Sequence, residues 1–329
     1  MVTDAPSSRD VLDAFRVPTK GKWYTVGYGE SRVTLYSQQV RALNLAWALA
    51  EAGQAVPKTR VVVIGGGAAG LSVAAGLAYA EADVTVLEKE RDLLPLQRNC
   101  HKRHLHPHVF DWPEATADNT RADLPLLDWG AGVARDVALE IEDGFEELCS
   151  RHASLRAHCG VENIQLDCPV EGKVTCRLTA ENRIETLPYE VLIFALGFGI
   201  ENPFLTGRRG SYWADDSLDQ HGVMPSGEYL VSGSGDGALI DVFRLLLPEL
   251  TQPGLVRLLR AGISNEDKFT EWIKDVEREV MQIGSLGKGR GIHEQGDFLF
   301  TKYATFEPEL SVQGICTRPF AAISTPEPE

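Results

Sequence analysis

Residues 64–70, IGGGAAG, space their glycines as Gly65-x-Gly67-x-x-Gly70, a pattern whose chemistry is the binding of a phosphate group by backbone N–H donors. The apolar run VVVI (61–64) leads into it and an alanine-rich helical stretch leaves it. A second run, VTVL (84–87), ends on Glu88, 23 residues after Gly65. In this setting Gly65 permits a tight turn, Gly67 lets the backbone approach a pyrophosphate with no Cβ in the way, and Gly70 lets helix and strand pack closely. A carboxylate at Glu88 can accept hydrogen bonds from both ribose hydroxyls and repels a 2′-phosphate. The unit reads as a site for an adenine dinucleotide.

A second group is HKRHLHPHVFDWPE, which holds His101, His104, His106 and His108, four of the eight histidines in the chain. If extended, this segment carries 104, 106 and 108 on one face, where imidazoles could hold Zn²⁺. Only Cys100 and Asp111 stand near as further ligands, so the expectation is no metal, with a proline-stiffened loop in which Phe110 and Trp112 are core. The six cysteines, Cys100, Cys149, Cys159, Cys168, Cys176 and Cys316, form no C-x-x-C pair. They read as reduced structural thiols, without the dithiol needed to pass electrons to a disulfide.

The elements that must position these groups follow from periodicity. The runs 61–64 and 84–87 read as parallel strands buried on both faces. Ahead of them, WYTV and RVTLY around GYGES read as a small hairpin. SQQVRALNLAWALAEAG reads as a helix, with Ser37 as N-cap and Gly53 as stop. After the histidines come a helix, VARDVALEIEDGFEELCSRH, and short strands at VENIQL, KVTCRLT and RIETL, a β-meander leading to the buried strand YEVLIFAL. YLVSGSGDGALIDVFRLL repeats the order strand, glycine loop, helix, and an amphipathic helix begins at Asn265.

With 329 residues, 43% hydrophobic and 24% charged, the chain has the composition of a globular α/β protein with an ample core. A net charge of −15 repels phosphate backbones and anionic membranes, which excludes nucleic acid and membrane as partners. The first twenty residues lack the pattern of a secretory signal, so a cytoplasmic location is expected. The oligomeric state has no signature.

Residues 61–90, VVVIGGGAAGLSVAAGLAYAEADVTVLEKE, resemble the two-dinucleotide-binding-domain flavoproteins, the group of glutathione-reductase-like enzymes, amine oxidases and flavin monooxygenases. The resemblance implies that this unit holds the ADP half of FAD, with Gly65, Gly67, Ala69, Gly70, Glu88 and Lys89 in the contact set and Arg98 near the pyrophosphate. One departure is Glu81, where the family commonly ends the helix with glycine. YEVLIFALGFG resembles the strand ending in Ala-Thr-Gly, with Leu196 in place of threonine and Gly197 close to the cofactor. The loop Gly233-Ser-Gly235-Asp236-Gly237 resembles two family elements. One is a late Gly-Asp element that contacts the flavin's ribityl chain, which the chain length favours, and the other is a nicotinamide-binding loop.

The resulting expectation is an FAD-dependent oxidoreductase of α/β class. It has an N-terminal hairpin and helix (1–56), a Rossmann-like FAD-binding domain with the histidine loop and β-meander (57–246), and a helical C-terminal segment and tail (247–329). The substrate is a small organic molecule. His106 and His108, as proton shuttle or substrate contact over the flavin, and Trp213, stacking on flavin or substrate, are the candidate catalytic residues. Two alternatives stand beside it, an NAD(P)H-dependent flavin monooxygenase or reductase, with NAD(P)H as second cofactor, and a non-catalytic FAD-binding protein.

Overall fold

The computed structural model describes residues 6–19, 21–27, 33–111, 115–167, 172–180, 182–197, 212–216, 231 and 236–246, and seven residues between 268 and 278. Two compact units result, residues 1–110 with 116–217, and residues 111–115 with 218–329.

The first unit is built on five parallel strands, β1 (Lys22–Thr25), β2 (Arg60–Ile64), β3 (Asp83–Leu87), β6 (Leu155–His158) and β10 (Val191–Phe194), in the order β1-β10-β2-β3-β6. Parallel neighbours require crossover connections. Helix α2 (Leu35–Glu51) joins β1 to β2, α3 (Ala68–Tyr79) joins β2 to β3, and α5 (Ala134–Arg151) precedes β6. Successive side chains in a strand face opposite sides, and the core divides accordingly. Val61, Val63, Val84, Val86, Val191 and Ile193 pack with α2, α3 and α5. Val62, Ile64, Leu87 and Leu192 pack with an antiparallel meander of β7 (Val161–Leu166), β8 (Gly172–Leu178) and β9 (Arg183–Tyr189). The result is three layers, helices, parallel sheet and meander, as the Rossmann-like α/β expectation requires.

Small residues set the helix layer. A Cβ at Gly76 of α3 would lie 2.7 Å from the Ala46 Cβ of α2, so this glycine lets the two helices approach. Both helices end in a Schellman motif. At the end of α2, Gly53 and Gln54 donate to the Ala50 and Leu49 carbonyls, with Gly53 at φ +64. At the end of α3, Glu81 and Ala82 donate to Ala78 and Leu77, with Glu81 at φ +57. The departure seen in the sequence thus puts a side chain in a left-handed position.

The expected N-terminal hairpin does not form. Tyr24 is fully buried in β1, which pairs along its length with β10 and meets the preceding chain at a single antiparallel bridge to Arg16, so RVTLY is not its partner. RVTLY enters α2 instead, because Thr34 and Ser37 build a capping box in which each side chain accepts the other's backbone N–H. Two satisfied donors and a helical apolar face outweigh local β propensity. Thr34, not Ser37, is therefore the N-cap. Helix α1 (Ser8–Phe15), capped by Ser7 and Asp10, had no sequence counterpart, and neither did β6, whose LRAH has too little alternation to read as a strand. A two-residue ribbon, β4 (His104–Leu105) with β5 (Gly132–Val133), completes this unit.

In the second unit α6 spans Asp236–Leu246, and the described residues between 268 and 278 are helical, in line with the amphipathic stretch from Asn265.

Candidate cofactor site at the carboxyl edge of the sheet

In a parallel sheet with helical crossovers, the helix N-termini and the strand carboxyl ends share one edge, and ligands bind there. Gly65 follows β2 at φ +113, and a Cβ on it would fall 2.2 Å from the Ala195 carbonyl oxygen. A Cβ at Gly70 would fall 1.9 Å from the Gly65 oxygen. Both glycines are required by the protein's own packing. Gly67 differs: it is the N-cap of α3 with ordinary φ −79, and a Cβ there would meet nothing within 4 Å. Open space therefore lies over the residue whose neighbours Ala68, Ala69 and Gly70 carry the first unpaired N–H groups of a twelve-residue helix. No acidic side chain stands in that first turn.

Glu88 is only 5% exposed. Its Oε2 accepts the Gly66 N–H at 2.6 Å and its Oε1 accepts the Glu90 N–H at 2.9 Å, which clamps the carboxylate to the glycine loop and leaves each oxygen a further lone pair. Gly66 itself was not singled out in the sequence. A Cβ on it would lie 2.8 Å from Leu93 and 2.9 Å from the Glu88 Cβ, so the chain after β3 closes over the loop, and the Leu94 N–H donates to the Gly66 carbonyl at 3.0 Å.

Two members of the expected set have other partners. Arg98, on the short helix α4 (Pro95–Arg98), pairs with Glu142 of α5 and lies 3.8 Å from Asp92. Lys89 is exposed and 3.5 Å from Glu90. Past β10, Ala195 packs against the glycine loop while Leu196 is 64% exposed and Gly197 takes φ +68 with no atom near its Cβ position. Gly235 lies outside the described residues, and Asp236 and Gly237 open α6.

The histidines do not line one face. His104 is in β4, where burial pushes its imidazole below the usual pKa against the opposing charge of Asp136. His106 Nδ1 accepts the His108 N–H at 3.2 Å, and His108 Nε2 donates to the Arg121 carbonyl at 3.1 Å. The His108 ring lies 5.0 Å from that of Tyr36 in the first turn of α2, so this imidazole stands at the carboxyl edge of the sheet. Among the described residues no three His, Cys, Asp or Glu side chains could hold a metal ion. Phe110, expected in the core, is 47% exposed, because the chain turns at Pro107–His108 instead of running on as a strand, and Trp112 lies outside the described residues. Trp213 is on a segment docked to His101 and Arg103: Asp215 accepts from the His101 ring at 2.6 Å, and the buried Arg103 lies over the Tyr212 ring and 3.2 Å from Asp216.

Cys100, Cys149, Cys159 and Cys176 are unpaired, and burial pushes each thiol up. At Cys159, burial with the charges of Glu88 and Asp92 raises it to about 11. These are not activated nucleophiles.

A three-layer α/β/β unit, a glycine loop with open space over its helix N-terminus, and a clamped acid directly after the next strand define a dinucleotide-binding protein. The chain belongs to the pyridine nucleotide-disulphide oxidoreductase family, whose pattern matches residues 59–239. FAD and NAD(P)H are the cofactors of that family, and the space over Gly67 with the free lone pairs of Glu88 fits the ADP half of FAD. No curated protein matches the chain in sequence. Solved structures with a similar part include an NAD-dependent persulfide reductase from A. fulgidus (17% identity, 46% of this chain and 18% of that one, TM-score 0.25). Others are the cadaverine monooxygenase of desferrioxamine biosynthesis from Erwinia amylovora (12%, 49% and 40%, 0.29) and L-lysine 6-monooxygenase from Pseudomonas syringae (14%, 60% and 44%, 0.29). The matched part spans less than half the length of each. Among the described residues no helix is long and apolar enough to cross a membrane.

Proposed function

We propose that this chain is an FAD-dependent oxidoreductase acting on a small organic substrate. The observation that carries the reading is the pairing of open space at Gly67 with the buried, two-amide-clamped Glu88. When bound, the flavin supplies hydride or two-electron chemistry. The chain's own residues do the rest: the first-turn amides of α3 take the pyrophosphate, and Glu88 takes the ribose hydroxyls. The His108 ring stands at the same edge, its Nε2 donating to the Arg121 carbonyl. The four free cysteines among the described residues are in keeping with a cytoplasmic location and with a reaction that uses no protein dithiol there.

A second reading, an NAD(P)H-dependent monooxygenase or reductase, is favoured by the sequence Gly-Ser-Gly-Asp-Gly at 233–237, whose last two residues begin α6, and by the family's use of NAD(P)H. Absorption spectra separate these readings. The purified protein, as isolated or after incubation with FAD, is expected to show the flavin bands, and a colourless protein that takes up no FAD refutes the proposal. Rapid anaerobic bleaching by NADH or NADPH selects the second reading, and bleaching by an organic donor alone selects an oxidase or dehydrogenase. Bound flavin that no donor reduces marks a non-catalytic FAD-binding protein.

A further inference from the structure

The N-terminal strand places a second glycine turn at the cofactor edge. In the proposed site Glu88, directly after β3, takes the ribose of the ADP half, and Gly67, after β2, faces the pyrophosphate. With the strand order β1-β10-β2-β3-β6, the remaining half of an extended dinucleotide must run the other way, across the ends of β10 and β1. Both edges of β10 are taken, by β2 and by β1, so the element beside it on that side comes from the N-terminus, ahead of the glycine loop in sequence. Val26 continues that pairing, donating to the Phe194 carbonyl at 2.8 Å, and Gly27 then turns at φ +94.

Against Gly27 lies the side chain of Gln38, in the second turn of α2, with its Oε1 2.7 Å from where a Gly27 Cβ would stand. Gln38 is 9% exposed, and its buried Nε2 has no hydrogen-bond partner. The neighbouring Gln39 spends its whole carboxamide inside the protein, donating to the Leu127 carbonyl and accepting from the Trp129 ring N–H. Buried donors are normally matched. Thr19 Oγ1, Trp23 Nε1 and Ser72 Oγ are also left unmatched, and what sets Gln38 apart is its place at the carboxyl edge of a parallel sheet beside a left-handed glycine.

Resting on the FAD reading, with the flavin half over the ends of β10 and β1, we infer that the Gln38 carboxamide donates a hydrogen bond to an acceptor on its ribityl or ring portion. Gln38 is then a binding residue for the flavin half alone, with no part in holding ADP. The two halves are thus gripped by separate structures, β2, α3 and β3 for ADP, and β10, β1 and α2 for flavin.

The test uses the full chain freed of cofactor and two probes, FAD followed by its fluorescence and ADP followed by calorimetry. For Gln38→Leu, which keeps the volume and removes the donor, FAD affinity is expected to fall about tenfold, the size of one lost hydrogen bond, with ADP affinity unchanged. The visible band of bound flavin is expected to shift. Gln38→Glu, which keeps the shape and replaces the donor by an acceptor, serves as a second variant and is expected to lose at least as much. Equal FAD affinity in wild type and both variants overturns the inference, as it would if water alone satisfied Gln38. Parallel loss of FAD and ADP also overturns it, since Gln38 would then be structural. A wild-type chain that binds neither probe overturns the cofactor reading itself, and this inference with it.

Discussion

Gly65, Gly67 and Gly70 lack a side chain for different reasons, and substitution separates them. Gly65 and Gly70 are excluded from carrying a Cβ by backbone atoms 2.2 and 1.9 Å away, whereas Gly67 is constrained by nothing in the chain. Gly67→Ala is expected to change unfolding free energy by less than about 0.5 kcal/mol while reducing FAD affinity at least tenfold. Gly70→Ala is expected to cost more than about 2 kcal/mol. Urea unfolding and flavin fluorescence on the same preparations distinguish the two. The cysteines provide a second residue-scale check. A thiol moved up to about 11 bears almost no thiolate until the pH approaches that value, so Cys159 is expected to alkylate roughly a hundredfold more slowly than a peptide thiol at pH 8. Mass-spectrometric mapping after iodoacetamide reads this, and full unfolding in urea should abolish the difference.

At the scale of elements, α2 and α3 end in the same motif with different residues in the left-handed position. Gly53 adopts it freely, while Glu81 at φ +57 pays the steric cost of a Cβ. Glu81→Gly is expected to stabilise the protein by about 1 kcal/mol, read as a higher urea midpoint with an unchanged slope, and to leave flavin binding untouched because this end of α3 is remote from Gly67. The capping box at Thr34 and Ser37 shows the opposite relation between local and global signals. RVTLY has the composition of a strand, yet two reciprocal side-chain to backbone bonds and a buried face at Ala42, Leu45 and Leu49 make its second half the start of a helix.

At the scale of the molecule, the first unit depends on a strand that enters the sheet from the far end of the sequence. Removing residues 1–27 would strip β1 from β10 and leave the edge of Val191–Phe194 unpaired. Such an edge is a template for aggregation, and the truncated chain is expected to be recovered mostly as insoluble material, as sedimentation of a lysate would show. With a whole-chain charge of −15 the long-range field is repulsive to anions, so the proposed site must rely on local amides for a phosphate.

The parts legible in the sequence were those with short-range causes. A strand, three glycines at fixed offsets, a small-residue helix and a terminal acid are encoded within thirty residues, and so are the alternating runs of the meander and the long helix at 134–151. What the sequence could not display were pairings between distant segments. The place of WYTV beside β10, the engagement of Arg98 with Glu142, and the burial of Gln38 against Gly27 each depend on residues brought together by tertiary folding. The histidine loop failed for the same reason, since the alternation that put 104, 106 and 108 on one face ended at a turn set by its contacts with Tyr36 and Arg121. Residue order by itself therefore determined the glycine loop, its helix and the acid after the next strand, on which the proposed ADP site rests, because backbone geometry there is local. That β1 lies beside β10 with α2 packed at its end was decided only by tertiary structure, because strand order in a sheet is a property of the whole fold.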